Sequence, residues 1–345
     1  MATPFSERQG QQDRFALVLG ATGGIGGEVA RQLREAGWQV RALHRRAAEV
    51  ANSGDGIDWR QGDAMDREAV MRAARGCAVI VHAVNPPGYR NWSKLVLPMI
   101  GNTIAAAQAE GATVVLPGTV YNYGPEAFPT LTEDQPQRPR TRKGAIRVEL
   151  ERQLQAAAAQ GVRTIVVRAG DFFGPHLTGN NWFSQGIVQA GRPVSVVRLP
   201  GRPGVGHQWA YVPDVARTMV ELIERRATLP AFATFHFGGH WDADGKQMAQ
   251  AICRVAQRHG AKPRQRRFPW AFVYAAAPFV TTLREMLEMR YLWREPIRLE
   301  NARVVATLGR EPHTPLDVAV AATLAGIGCL NRGAQQAEPA ALHAK

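Results

Sequence analysis

The chain has 345 residues, 45% hydrophobic and 21% charged, which suits one large α/β domain plus a smaller lobe. Its formal net charge of +13 permits nucleic-acid contact, but the densest basic clusters (Arg138, Arg140, Arg142, Lys143 and Arg147, then Lys262, Arg264, Arg266 and Arg267) sit in no nucleic-acid module, so we read a solvated basic face and no nucleic-acid partner. No apolar run reaches the ~20 residues of a membrane span, and Cys77, Cys253 and Cys329 lack metal-ligand spacing, so we expect a cytoplasmic protein with reduced thiols, no metal and no membrane span.

Residues Met1 to Asp13 read as a flexible, polar lead-in without an apolar secretory core. A strand over Phe15–Leu19 then runs into Gly20-Ala21-Thr22-Gly23-Gly24-Ile25-Gly26, and a helical pattern follows from Glu28 to Ala36. Glycines let the backbone turn tightly and approach a pyrophosphate, and the helix start offers N–H donors and a positive dipole end. Between a strand and a helix, this spacing points to a dinucleotide.

The second strand, Gln39–Leu43, leads into His44-Arg45-Arg46. NAD-binding units carry an acid there for the ribose 2′-hydroxyl. Cations instead suit a 2′-phosphate, so NADP (NADPH) is the preferred cofactor, with NAD the other option. The same residues also suit a solvated basic turn. After a third strand, Ile57–Arg60, Asp63 is placed either at the adenine amino group, as cap of the helix beginning at Asp66, or as a turn residue.

Strands follow at Val79–His82, Thr113–Leu116 and Arg163–Arg168, with helices over Leu95–Glu110 and Arg142–Gln160. The alternation implies an α/β Rossmann fold, a doubly wound parallel sheet. Beyond Gly174-Pro175 the pattern loosens into a smaller C-terminal substrate lobe, residues 176–330, interleaved with returns to the dinucleotide-binding domain of residues 14–175. The apolar stretch Phe268–Val280 reads as a buried helix of that lobe, Asp214 as the cap of a helix over Val215–Arg225, and residues 331–345 as a disordered tail.

From Phe15 to Gly328 the order of motifs resembles the extended short-chain dehydrogenase/reductase family, which includes NAD-dependent epimerase/dehydratases. The motifs are the Gly20–Gly26 loop, Gly62-Asp63, His82-Ala83-Val84-Asn85, Thr119 to Gly124, Arg168 to Pro175, Trp209 to Ala216 and His236 to Gly239. The resemblance implies cofactor contacts from Gly20, Thr22, Gly23, Gly24, Ile25, Gly26, His44, Arg45, Asp63, Ala83 and Asn85. Pro86 and Pro87 would stiffen the loop passing the cofactor's middle.

Family members pair a Ser or Thr after the fifth strand with Tyr-x-x-x-Lys on the next helix. Here Thr119 falls at the Ser/Thr position, Lys143 in the tyrosine place and Arg147 in the lysine place, and no tyrosine lies between Tyr123 and Tyr211. Three readings stay open. Tyr121 or Tyr123, on the loop beside Thr119, stands in as the proton donor; Lys143 does so, its charge disfavoured by burial and by neighbouring arginines; or the protein binds NADP without chemistry. Lys143 and Arg147 also suit cofactor binding, Arg147 as a fork for ribose, phosphate or carboxylate or as an i,i+4 partner of Glu151.

On the substrate side stand Tyr123, His176, Asn180, Asn181, Trp182, Arg198, Arg202 and His207. Trp182 suits stacking on a ring, and the arginines suit an anion. The reading is an NAD(P)-dependent oxidoreductase acting on a carbonyl or alcohol of a small organic molecule, for which the arginines leave an anionic one open. The alternatives are a sugar-nucleotide epimerase/dehydratase and an NADP-binding sensor. Family members often dimerise through two helices of the sheet domain, which here are Leu95–Glu110 and Arg142–Gln160, although the basic charge of the second opposes it.

Overall fold

The computed structural model describes residues 14–51, 54–86, 91–177 and 181–330. The lead-in to Asp13, Pro87, Asn180 and the tail from Asn331 lie outside the described residues. In chain order the elements begin β1 (Phe15–Leu19), α1 (Gly24–Glu35), β2 (Gln39–His44), α2 (Ala47–Val50), β3 (Asp58–Gln61), α3 (Arg67–Ala74), β4 (Val79–His82) and α4 (Trp92–Glu110). Then come β5 (Thr113–Thr119), β6 (Thr130–Leu131), α5 (Arg142–Ala158), β7 (Thr164–Ala169) and β8 (Asp171–Phe173). The rest is β9 (Val196–Leu199), β10 (His207–Tyr211), α6 (Val212–Glu224), β11 (Phe232–His236), β12 (His240–Asp242), α7 (Gln247–Arg258), β13 (Arg264–Arg267), α8 (Trp270–Ala276), α9 (Thr281–Glu288), β14 (Arg298–Leu299), α10 (Ala302–Leu308) and α11 (Leu316–Gly326).

Seven parallel strands form the main sheet in the order β11-β7-β5-β4-β1-β2-β3. Both faces are covered, so the inner strands are mostly apolar, Val79-Ile80-Val81 of β4 among them. Alternate residues part to the two faces. Ala16, Val18, Val79 and Val81 pack with α1 and α6, while Leu17, Leu19, Ile80 and Leu116 pack with α3, α4 and α5. The chain after residue 176 returns to the sheet through α6 and β11, and otherwise builds a separate core around Phe173, Phe183, Trp209, α7 and α11.

Four expectations from the sequence change. Helix α1 starts at Gly24 rather than Glu28, because the glycines themselves form its first turn. Strand β5 continues through Pro117 and Gly118 to Thr119; a Cβ on Gly118 would come within 2.6 Å of the Arg168 side chain, so the glycine makes room for an arginine crossing from β7. Asp66, not Asp63, caps α3, accepting from the Glu68 and Ala69 amides, while Asp63 accepts from the Met65 amide and shapes the turn. Asp214 lies within α6, which begins at Val212, and its buried carboxylate accepts from the amide and hydroxyl of Thr314.

A fifth concerns Phe268–Val280. It is not one buried helix but the short α8 and the turn into α9, with Phe272 66%, Tyr274 50% and Phe279 89% exposed. Among the described residues no helix is long and apolar enough to cross a membrane.

Two buried histidines, His82 and His236, end β4 and β11, which have β5 and β7 between them in the sheet. His82 Nδ1 lies 2.8 Å from the Thr103 hydroxyl, and His236 Nε2 lies 2.9 Å from the Tyr123 hydroxyl. Burial, with Arg147 near one and Arg168 near the other, pushes each imidazole down to about 3. Both therefore stay neutral when folded but take a proton near pH 6.5 when unfolded. Stability should be full above about pH 6.5 and fall with acid by up to ~1.4 kcal/mol per pH unit for each histidine. Urea melts across pH 7 to 5 would check this: His82→Gln or His236→Gln should flatten the slope, whatever its effect on stability at pH 7.

Candidate active site

The glycine turn closes on itself at the C-terminal edge of the sheet. Gly20 has φ of 90°, and a Cβ there would lie 2.7 Å from the Ala83 carbonyl carbon; one on Gly26 would lie 2.3 Å from the Gly20 oxygen. Thr22 is exposed at the tip, Ile25 packs into the core, and Ala83 forms the opposite wall. No side chain caps α1 at Gly23, so the amides of Gly24 and Ile25 remain for a ligand. The turn's close backbone approach, with the helix dipole behind it, suits an anion such as a pyrophosphate.

At the end of β2, Arg45 is exposed, and Arg46 is ion-paired to Glu49 at 3.1 Å. The His44 ring accepts from the Arg46 amide and meets Trp59 edge to face. No acid stands at this strand end, whereas Asp63 lies across the neighbouring turn.

Further along the sheet edge, Arg147 Nη2 reaches Asn85 Oδ1 at 3.5 Å, and its guanidinium lies over the Trp92 ring at 5.1 Å. Of the two readings of Arg147, the i,i+4 pairing with Glu151 is not what that carboxylate is used for. Glu151 instead turns inward to Arg168, with both side chains buried and oxygens 2.6 Å and 3.2 Å from its guanidinium nitrogens. Arg168 also donates to the Tyr123 hydroxyl at 2.6 Å, and burial pushes that phenol up. Tyr123 is fully buried, so its placement beside substrate is corrected: it is a core residue.

The Glu151 carboxylate also accepts from Asn122 Nδ2 at 2.8 Å, which orients that amide so that its oxygen accepts from the Thr119 hydroxyl at 2.9 Å. Thr119 thus keeps its lone pairs for a ligand. Tyr121, half-buried, packs against the cluster of Val120, Met289, Tyr291 and Leu292.

Lys143 also differs from expectation. Its neighbours are carboxylates rather than arginines: Nζ lies 2.5 Å from Glu285 Oε2 and 2.8 Å from Glu288 Oε2, both on α9, and 3.2 Å from the Glu285 carbonyl oxygen. The side chain is 3% exposed. Lys143 therefore clamps the C-terminal lobe to α5.

The substrate residues expected in the lobe are engaged in packing. Trp182 meets Phe268, Trp270 and Trp293; His207 stacks on Trp293 at 3.7 Å, and its Nε2 lies 2.8 Å from Asp171 Oδ2. Asn181 Oδ1 accepts from the amide and hydroxyl of Ser184. Arg198 and His207 line a cavity of about 10 Å³, room for about one water.

Sequence reading missed the Glu151–Arg168 pair, Asn122, and Glu285 and Glu288. One signal was present: an arginine inside the otherwise apolar, wholly buried strand β7 needs a buried acid. Nothing local announces that α9 will meet α5.

A parallel sheet in this order, with a glycine cradle at its first strand-to-helix turn, defines a Rossmann-type dinucleotide-binding protein. The chain belongs to the NAD dependent epimerase/dehydratase family, whose model matches residues 16–238. The 3-diazoavenalumate denitrifying reductase of a Streptomyces species is 29% identical over 266 residues, 72% of this chain and 82% of that protein. An uncharacterised protein of Sinorhizobium fredii is 26% identical over 199 residues, 52% of this chain; the chain spans about half of that relative, 56% of its length. The solved structure of MoeE5 in complex with UDP-glucose and NAD has the same fold, with a TM-score of 0.68 at 18% identity over 90% of this chain and 97% of that one.

Two outcomes are expected of variants here. Arg168→Met leaves Glu151 buried without its cation and should cost about 3–5 kcal/mol in denaturant melts. Lys143→Met leaves Glu285 and Glu288 facing each other and should cost about 3 kcal/mol, yet keep dinucleotide affinity within about twofold by fluorescence titration.

Proposed function

We propose that the chain is an NADP-preferring oxidoreductase acting on a carbonyl or alcohol of a small organic molecule. The observation that carries the reading is the pairing of an open glycine cradle with Arg147 and Asn85 farther along the same sheet edge. Gly23, Gly24 and Ile25 would hold the pyrophosphate, Arg147 and Asn85 the nicotinamide ribose, and Asp63 the adenine. When bound, the cofactor supplies or accepts a hydride. Arg45, exposed where NAD-binding units carry an acid, supports the 2′-phosphate.

Thr119 would meet the reacting oxygen and Tyr121 would carry the proton. Tyr121 is favoured for that place because it lies two residues beyond Thr119, while Lys143 is held by two carboxylates. The relative named a reductase favours reduction over epimerisation. One observation favours a second reading, an NADP-binding sensor: the family's tyrosine place is filled by a lysine that clamps two parts of the fold together.

Titration with NADPH and NADH, then assay over aldehydes, ketones and enones, tests both. We expect NADPH to bind at least about tenfold more tightly, and Arg45→Asp to erase that preference. Substrate-dependent oxidation lost in Tyr121→Phe, with cofactor affinity kept, supports the reductase. Tight NADPH binding without turnover moves the assignment to the sensor, and failure to bind either dinucleotide overturns both.

A further inference from the structure

We infer that α8 and the turn after it form a docking surface for an anionic lipid surface, lying in its plane rather than crossing it. Helix α8 is anchored from below: Val273 and Ala277 are buried, and the Arg290 guanidinium lies over the rings of Trp270 and Tyr274 at 4.9 Å and 5.0 Å. The helix offers Phe272, 66% exposed, and the turn after it Phe279, 89% exposed, and Val280, 44% exposed. Exposed apolar side chains this large and this close in sequence mark an interaction site.

Charge selects the occupant. Between Asp244 and Glu285 the chain has no Asp or Glu. Arg254 and Arg258 are paired with Asp317, but Lys262, Arg264, Arg266 and Arg267 are exposed, all within eight residues of Trp270 along the chain. Arg267 is separated from Trp270 only by Phe268 and Pro269. On α9 the acids Glu285 and Glu288 face Lys143, while Arg284 is exposed. A second copy docked through a two-fold axis would bring this basic fringe against itself. A layer of anionic headgroups over acyl chains satisfies both the cations and the phenylalanines.

Cosedimentation of the full chain with phosphatidylcholine vesicles, with and without phosphatidylserine, tests this at low salt. We expect binding only with phosphatidylserine. The partition coefficient should fall at least about tenfold in Phe272→Ser/Phe279→Ser, and about fivefold for each cation removed in Arg266→Gln and Arg267→Gln. Phe279→Ser alone serves where the double variant loses its circular-dichroism spectrum. Absent binding, equal binding to neutral vesicles, or unchanged binding in the variants overturns the proposal. So does a dimer, seen by analytical ultracentrifugation, that Phe279→Ser dissociates, since the occupant is then a second copy.

Discussion

The buried ion pair between Arg168 and Glu151 organises the region where the sheet meets the candidate site. Arg168 stands on β7 and Glu151 on α5, so the pair ties the sheet to that helix. Neither charge has water to fall back on, since the side chains are 2% and 4% exposed. Burying such a pair is not a cheap source of stability; what it enforces is geometry, because either partner alone would be strongly disfavoured. Several polar groups nearby are joined to it. Tyr123 and His236 close one end of the network, and Asn122 and Thr119 close the other.

A second constraint acts at the start of α5. There Lys143 meets Glu285 and Glu288, and the Arg142 amide donates to Glu288 at 2.7 Å. The lysine and arginine beside Glu288 hold its carboxyl below the usual carboxylate range against the opposing effect of burial. The C-terminal lobe is thereby fixed to the sheet domain by charge. Lys143 alone does not balance two carboxylates; the Arg142 guanidinium, 3.6 Å from Glu285, supplies the second cation, so the four residues form one co-dependent set.

Much of the fold was legible from the chain because its signals are local. The turn around Gly20 to Gly26 needs only adjacent glycines, and runs such as Val79-Ile80-Val81 announce strands buried on both faces. The site was less legible because its contacts are distant in sequence. Lys143 and Glu285 are 142 residues apart, and Arg168 and Tyr123 are 45 apart. Reading Glu151 as the i,i+4 partner of Arg147 followed helix spacing correctly, but a buried arginine outcompeted an accessible one for the carboxylate. The Phe268–Val280 stretch misled for the opposite reason. Apolar composition alone says that a segment is excluded from water by something, and not by what.

The orientation of Asn122 fixes the resting state of Thr119. Its amide nitrogen donates to Glu151 and to Gln137, so its oxygen faces Thr119 and accepts the threonine proton. The Thr119 hydroxyl in this state accepts a further hydrogen bond but offers none. To donate elsewhere it must rotate about its Cβ–Oγ bond and leave Asn122, exchanging one neutral hydrogen bond for another at little net cost. The buried ion pair thus reaches the loop after β5 through one amide, and sets which way a hydroxyl at the edge of the candidate site points.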